Sequence, residues 1–206
     1  MAKLILVRHG VTSWNKIGRW QGKTDVPLSP EGAKQIEQAG KVITNIKIDK
    51  IFTSTLARVK QSEWVLVKDL NLSCPVVESA TLDERDYGIY TGKNKWDFEK
   101  EYGEEIFEKV RRGFNTPIPG GETLEDVYNR VVPFLTQSIL PEIRLGKNIL
   151  VVSSGNTIRV MMKYLETLTD NEVEKTDLGF AQITCYELDS GGSILQKEIL
   201  FKGIYN

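Results

Sequence analysis

Three short segments of this sequence carry groups suited to handling an anion. In Arg8-His9-Gly10 a guanidinium and the only histidine of the chain stand side by side ahead of a glycine. In Ser54-Thr55-Leu56-Ala57-Arg58 two hydroxyl residues lead to an arginine, and Ser154-Gly155-Asn156 is a third small polar turn. An imidazole can serve as nucleophile or proton carrier near neutral pH. A guanidinium holds phosphate or carboxylate oxygens through its planar fork of donors. Taken singly, each residue also has an ordinary use: a histidine can fill a polar gap at a strand end, and an arginine can lie in solvent.

The elements around these segments decide where they lie. Leu4-Ile5-Leu6-Val7 is a short apolar run that reads as a buried strand of a parallel sheet. In such sheets ligands bind beyond the carboxyl ends of the strands, where Arg8, His9 and Gly10 fall. Lys50 to Thr53 reads as a second strand, after which Ser54 or Thr55 is expected to cap a helix packed through Val59, Trp64, Val65 and Leu66. Arg58 then lies in the first helical turn, near free backbone amides that favour an anion. Asn148 to Ser153 is a further apolar strand, and the turn from Ser154 to Thr157 carries it into a helix expected over 158–165.

Between these lie a helix opened by Ser29-Pro30-Glu31, with Ala33, Ile36, Ala39, Gly40 and Ile43 on one face, and a strand over 75–78. Residues 82–95 read as a polar surface loop, and Arg111-Arg112 at the end of a helix over 104–112 reads as a solvated pair. Pro117 to Gly121 breaks the chain without dividing it. A helix from Thr123 carries Val127, Val131, Leu135 and Ile139 on one face, with a kink expected at Pro133. Residues 183–188 and 194–200 form a hairpin across Asp189-Ser190-Gly191-Gly192. The sum is an α/β three-layer sandwich, a mostly parallel sheet with helices on both faces, built as one domain over 1–206.

Composition narrows the function. With 206 residues the chain can bury a sizeable core, and its net charge of −1 argues against non-specific nucleic-acid binding. Cys74 and Cys185 are isolated, so a reduced, cytoplasmic chain is the default, and one histidine without paired cysteines argues against a zinc site. No apolar stretch approaches a bilayer span.

Arg8-His9-Gly10, Ser13-Trp14-Asn15, Gln21-Gly22 and Asp25-Val26-Pro27-Leu28-Ser29, in this order after a first strand, resemble the opening of the histidine phosphatase superfamily. That group includes the 2,3-bisphosphoglycerate-dependent phosphoglycerate mutases and many phosphatases. The resemblance implies that His9 is the phosphorylated nucleophile, with Arg8, Gly10, Ser13, Asn15, Gln21 and Gly22 around the phosphate. The run up to Arg58 resembles the second phosphate clamp of that group. Glu84 stands where the group has its general acid and base. The string from Glu84 through Arg85, Tyr87, Gly88, Thr91, Gly92 and Asn94 to Lys95 resembles the mutase branch, as do Arg111 and Arg112 as a substrate-gripping pair. Gln21-Gly22 and Asp25-Val26-Pro27-Leu28 look more like the phosphatases. The expected shape is that of a short phosphoglycerate mutase-like chain.

One position departs from the resembled pattern. The late turn reads His-Gly-Asn in that family and Ser154-Gly155-Asn156 here, and no second histidine exists to replace it. A serine hydroxyl is shorter and neutral, and loss of one preorganised donor from such a site typically costs ~10²–10³-fold in rate. An engineered inactive variant, a natural pseudoenzyme and a slow enzyme supported by Arg8 and Arg58 all remain open.

The implied activity is phosphoryl transfer through a phosphohistidine, interconverting 3-phosphoglycerate and 2-phosphoglycerate in glycolysis, with 2,3-bisphosphoglycerate as priming donor and no metal. The alternatives are a broad phosphomonoester phosphatase and a pocket that binds phosphorylated metabolites without turning them over. The implied partner is a small phosphorylated metabolite, not nucleic acid or membrane, and the chain is expected to be a monomer or homodimer.

Overall fold

The computed structural model describes residues 1–204. In chain order the elements are β1 (Ala2–Arg8), α1 (Ser13–Lys16), α2 (Pro30–Gly40), β2 (Lys50–Thr53), α3 (Ala57–Asp69) and β3 (Val76–Glu78). There follow α4 (Lys95–Tyr102), α5 (Glu104–Arg112), α6 (Leu124–Phe134), α7 (Leu140–Arg144), β4 (Ile149–Ser153), α8 (Gly155–Glu166), α9 (Asp170–Lys175), β5 (Ile183–Leu188) and β6 (Ile194–Phe201).

The six strands form one sheet in the order β3-β2-β4-β1-β5-β6. The first four run parallel, while β5 and β6 are antiparallel and supply the far edge as the expected hairpin. Strand alternation splits the core in two. Leu4, Leu6, Phe52, Ile149 and Val151 pack on one face with residues of α6, α7 and α8. Ile5, Val7, Ile51, Leu150 and Val152 pack on the other with α2 and α3. Each such side chain, fully buried, contributes roughly 1.5–3 kcal/mol relative to exposure. The α/β sandwich with helices on both faces is thus the observed architecture. Strands β1 and β4 sit adjacent, Arg8 opposite Ser153, so the turns that follow both strands open on the same edge.

Local details differ from expectation. Neither Ser54 nor Thr55 caps α3 through its side chain; Leu56 is the N-cap residue. Ser54 Oγ and Thr55 Oγ1 instead donate to Asp83, and the Asp25 carboxylate accepts from the Ala57 amide at 2.6 Å. The two hydroxyls therefore fasten the 81–87 loop to the β2–α3 turn. Trp64 is 60 % exposed, because the packing face of α3 runs through Val59, Ser62, Val65 and Leu66. Pro133 removes one backbone donor, and the helix responds by widening into a π-turn over Leu135–Ile139 rather than simply kinking. Helix α8 begins at Gly155, three residues earlier than expected.

Over this platform α4 and α5 form a cover held by an aromatic cluster. Trp20, Tyr87, Phe98, Phe107, Val110 and Ile118 are all buried together there. Trp20 meets Phe98 edge-on at 5.2 Å between ring centres. The cluster fixes the start of α4 and the end of α5, and with them Lys95 and Arg111, above the carboxyl edge of the sheet. No helix among the described residues is long and apolar enough to cross a membrane.

Candidate active site

His9 follows directly on β1 and is 2 % exposed. Its amide donates to the Ser153 carbonyl at 3.0 Å, and its Nδ1 lies 2.7 Å from the Gly10 carbonyl oxygen. A carbonyl can only accept, so Nδ1 carries the proton. Burial, then the charges of Arg58 and Arg8, push the imidazole pKa well below its ordinary value. The ring is therefore neutral at pH 7, with its lone pair on Nε2. Gly10 does not offer a free amide, since its N–H goes to Ser62 Oγ at 3.3 Å. Its glycine is required by packing: a Cβ there would sit 2.3 Å from the Gly32 carbonyl oxygen.

His9 lines a cavity of about 110 Å³ that brings together Arg8, Asn15, Gln21, Gly22, Arg58, Glu84, Tyr87, Lys95, Arg111, Arg112, Gly155 and Asn156. Four residues singled out in the sequence lie outside its lining, Gly10 among them because its place is fixed by packing on Gly32 and its amide is taken by Ser62. Ser13 is exposed at the start of α1. Arg85 is fully buried behind the wall, its Nη2 donating to the carbonyls of Val110 and Arg111 at 2.8 and 2.9 Å and its guanidinium lying 4.4 Å from the centre of the Tyr87 ring. It ties the 84–87 loop to the end of α5 rather than lining the space. Ser154 is buried at the N-cap of α8, its Oγ without a hydrogen-bond partner and not used as a cap.

The cavity is strongly cationic: seven arginine and lysine side chains against the carboxylates of Glu84 and Asp177. Arg58 spans the floor, donating from Nη1 to Thr24 O at 2.9 Å and from Nη2 to Gly22 O at 2.8 Å. Arg8 donates to the Leu178 carbonyl and stacks 3.8 Å from the centre of the Phe180 ring. Burial lowers Arg8 to about 10, and Lys95 to about 8 with the help of Arg111 and Arg8. Arg112 is already engaged: Glu108 at 3.0 Å, Asp177 at 3.2 Å and the Thr176 carbonyl at 3.3 Å. Arg111 has one partner of this kind, Glu108 at 3.1 Å. The two arginines are thus not an equivalent pair.

Glu84 is held from two sides. Its Oε1 accepts the amides of Arg85 at 2.8 Å and Asn156 at 3.3 Å, which leaves Oε2 for a proton. Behind it Arg130 on α6 donates to the carbonyls of Thr81 at 2.6 Å, Asp83 at 3.0 Å and Glu84 at 3.3 Å. Arg130 also pairs with Glu122 at 2.9 Å, and Glu122 accepts the Asp86 amide.

Arg159 belongs in the cavity wall and was not assigned to the site from sequence. It donates from Nη1 to Asn156 Oδ1 at 2.9 Å and from Nη2 to Val173 O at 2.5 Å, and burial lowers it to about 10. Its signal was legible: Asn156 and Arg159 are three residues apart on the first turn of α8 and so share a face. Arg19 and Thr176 to Leu178 also reach the cavity, from segments with no motif. Among the described residues no group of three or more His, Cys, Asp or Glu side chains is arranged to hold a metal ion.

A neutral, buried imidazole among arginines at the carboxyl edge of an α/β sheet is an arrangement suited to phosphoryl transfer, and comparison with known proteins agrees in kind. Residues 4–198 match the histidine phosphatase superfamily (branch 1), and the chain belongs to that superfamily. It is 36 % identical over 207 residues to a 2,3-bisphosphoglycerate-dependent phosphoglycerate mutase of Rhizobium etli, covering 98 % of this chain and 99 % of the relative. It is 34 % identical over 190 residues to a mutase of the same name from Cytophaga hutchinsonii, covering 92 % and 89 %. Among solved structures, a mycobacterial glucosyl-3-phosphoglycerate phosphatase shares the fold with a TM-score of 0.83, 22 % identity and full coverage of both chains. The α-ribazole phosphatase of Shigella flexneri does so with a TM-score of 0.82, 20 % identity and coverage of 99 % and 98 %.

Proposed function

We propose that the chain transfers phosphoryl groups through a phosphohistidine on His9, and that the reaction is the interconversion of 3-phosphoglycerate and 2-phosphoglycerate. The observation that carries the reading is the neutral imidazole of His9, its tautomer set by the Gly10 carbonyl, in a cavity of seven cationic side chains. Support for phosphoglycerate comes from mutase relatives at 34 % and 36 % identity over nearly the whole chain.

In the first half-reaction Nε2 of His9 attacks phosphorus, the N–P bond forms and the ester P–O bond breaks. Glu84 Oε2 gives its proton to the leaving oxygen. In the second half an incoming hydroxyl attacks phosphorus, Glu84 takes its proton back and the N–P bond breaks. Arg8, Arg58 and Arg159 hold the phosphoryl oxygens, so most of the catalysis is positioning and charge stabilisation. The Nε atoms of these three arginines are buried without a partner, a donor set that fits a polyanion such as 2,3-bisphosphoglycerate. When bound, that compound supplies the phosphoryl group that primes His9. Arg111, the less engaged of the arginine pair, suits the substrate carboxylate.

A second reading, a phosphatase in which water is the incoming hydroxyl, is favoured by one observation. At Ser154 a neutral, unpartnered hydroxyl stands in place of a charged donor, which weakens the hold on a phosphoryl group awaiting a second alcohol. The deciding experiment follows 3-phosphoglycerate to either 2-phosphoglycerate or glycerate, alongside acid-labile label on His9. The expectation is 2-phosphoglycerate, label lost in His9→Ala, and a rate lowered ~10²-fold or more in Glu84→Gln with KM within a few fold. Glycerate as the product selects the phosphatase. Binding without label returns the chain to a phosphometabolite-binding protein.

A further inference from the structure

We propose that Asp83 is a positioning residue: its carboxylate locks Glu84, the next residue along the chain, in register with the turn that carries Arg58. The proposal rests on the reading of His9 as the phosphoryl acceptor and Glu84 as its acid and base. It adds the group that sets the proton carrier against the phosphate clamp.

Asp83 is 8 % exposed. Its Oδ1 accepts from Ser54 Oγ at 2.7 Å and from the Thr55 amide at 2.9 Å, and Thr55 Oγ1 lies 2.9 Å from both carboxylate oxygens. Among the described residues, every hydrogen bond between residues 54–57 and residues 81–87 ends on this carboxylate. The carbonyl of Asp83 accepts from Thr157 Oγ1 at 2.7 Å and from Arg130 Nη2 at 3.0 Å. One residue thus joins the turn after β2, the first turn of α8 and the flank of α6. Arg130 supports the loop from behind, whereas the Asp83 side chain fixes its place relative to Arg58.

The charge of Asp83 has a second consequence. The carboxylate has no ion-pair partner among the described residues, so its burial is offset by hydrogen bonds alone. Burial lowers the pKa of Arg58, and the charges of Glu84, Asp25 and Asp83 oppose that effect. Asp83 also occupies a position that an anion would take. Ser54 Oγ accepts the Leu56 amide at 3.1 Å and Asp25 the Ala57 amide at 2.6 Å, so with Thr55 the amides that open α3 are held by protein oxygens. A ligand phosphate is left to the Arg58 side chain rather than to the helix end.

The test compares the intact native chain with Asp83→Ala and Asp83→Asn in turnover of 3-phosphoglycerate and in calorimetric binding of inorganic phosphate. Asparagine keeps an oxygen for Ser54 and the Thr55 amide and turns its own amide to Thr55 Oγ1, so it preserves the tie and removes the charge. Asp83→Ala should lower kcat about tenfold or more with KM no higher than native, while Asp83→Asn should recover kcat to within about threefold. Both should bind phosphate about two- to fivefold tighter, since a negative charge has left the neighbourhood of Arg58. Loosening of the fold alone would instead weaken phosphate and turnover together. The double change Ser54→Ala with Thr55→Val removes the hydroxyl donors, should lower kcat several-fold, and carries the test if the alanine variant does not fold. Native-like kcat in both of these, a parallel loss of kcat and phosphate affinity, or an asparagine variant no better than alanine overturns the proposal. Acid-labile label on His9 separates the two readings. Label and turnover in the native chain, with kcat unmoved by the substitutions, sinks Asp83 and leaves His9 standing. A native chain with neither label nor turnover sinks His9, and the positioning role falls with it.

Discussion

The Nδ1 of His9 lies 2.7 Å from the carbonyl oxygen of Gly10, and this contact decides which ring nitrogen can react. With Nδ1 protonated and the ring neutral, Nε2 holds the lone pair. Because His9 is the sole histidine, a ¹⁵N spectrum of histidine-labelled protein contains one imidazole. It should show the Nδ1–H tautomer without titration between about pH 6 and 8. Linkage gives the sign for stability. The folded pKa lies below the unfolded value of 6.5, so the unfolded chain takes up the proton first as pH falls. Stability from this group is full above 6.5 and is lost toward the folded pKa. An imidazole that titrates near 6.5 in the folded protein would refute the assignment.

Arg130 is the structural counterpart behind Glu84. It stands on α6, outside the cavity lining, yet it donates to three carbonyls of one loop, those of Thr81, Asp83 and Glu84. Charged donors of this kind are worth roughly 1.5–3 kcal/mol each, and the bonds share one guanidinium. Replacing Arg130 by Met should cost about 2–3 kcal/mol in urea unfolding. It should also lower kcat at least about tenfold with KM nearly constant, since Glu84 loses its register rather than its charge. Lysine, which supplies the charge without the fork, should restore little. A change confined to stability would reduce Arg130 to a structural tie.

Lys95 offers a pH signature that His9 does not. Burial, Arg111 and Arg8 lower it to about 8, so the free site loses a positive charge as pH rises through that value. Binding of an anion favours the charged form. The affinity for inorganic phosphate should therefore weaken as pH rises from about 7 to 9, and the slope should flatten in Lys95→Met. Phosphate's own second ionisation, near pH 7, is the same for both proteins and cancels in the comparison. Identical slopes would show that Lys95 does not sense the ligand.

The sheet and most of the arginines were legible in the sequence because their signals are local. Leu4 to Val7 and Asn148 to Ser153 are apolar runs that only a buried strand accommodates, and the groups that follow them must emerge at one edge. Arg58 follows from a strand running into a helix. The fates of these side chains were not legible, since they depend on partners far away in the chain. Ser54 and Thr55 read as caps, but Asp83 claims their hydroxyls. Arg85 reads as a ligand, but the end of α5 claims it, and Asp177 and Thr176 engage Arg112. A binding motif names the residue types near the phosphate; competition among buried acceptors decides which guanidinium remains for it.

Ser154 gives the sharpest test, because it is where local pattern and the resembled chemistry part. Its hydroxyl is fully buried, makes no hydrogen bond and does not cap α8, although serine is a preferred N-cap residue. An unpaired buried hydroxyl costs stability, so Ser154→Ala should be neutral or stabilising by up to about 1 kcal/mol. It should also change turnover by less than about threefold, since an unpartnered hydroxyl at this depth holds nothing in the free site. Ser154→His is the opposite case. Glu84 is already held by the backbone amides of Arg85 and Asn156 at Oε1 and by Arg130 at its carbonyl, so the rest of the site is prepared for a donor here. If the site works by the phosphohistidine route, the added imidazole should raise the rate of His9 phosphorylation by ~10²-fold or more, the reverse of losing one preorganised donor. Single-turnover labelling of the native chain and both variants measures this directly. A native rate that Ser154→His does not improve would mean that Arg8, Arg58 and Arg159 already supply the stabilisation, and that this chain runs its chemistry on one histidine.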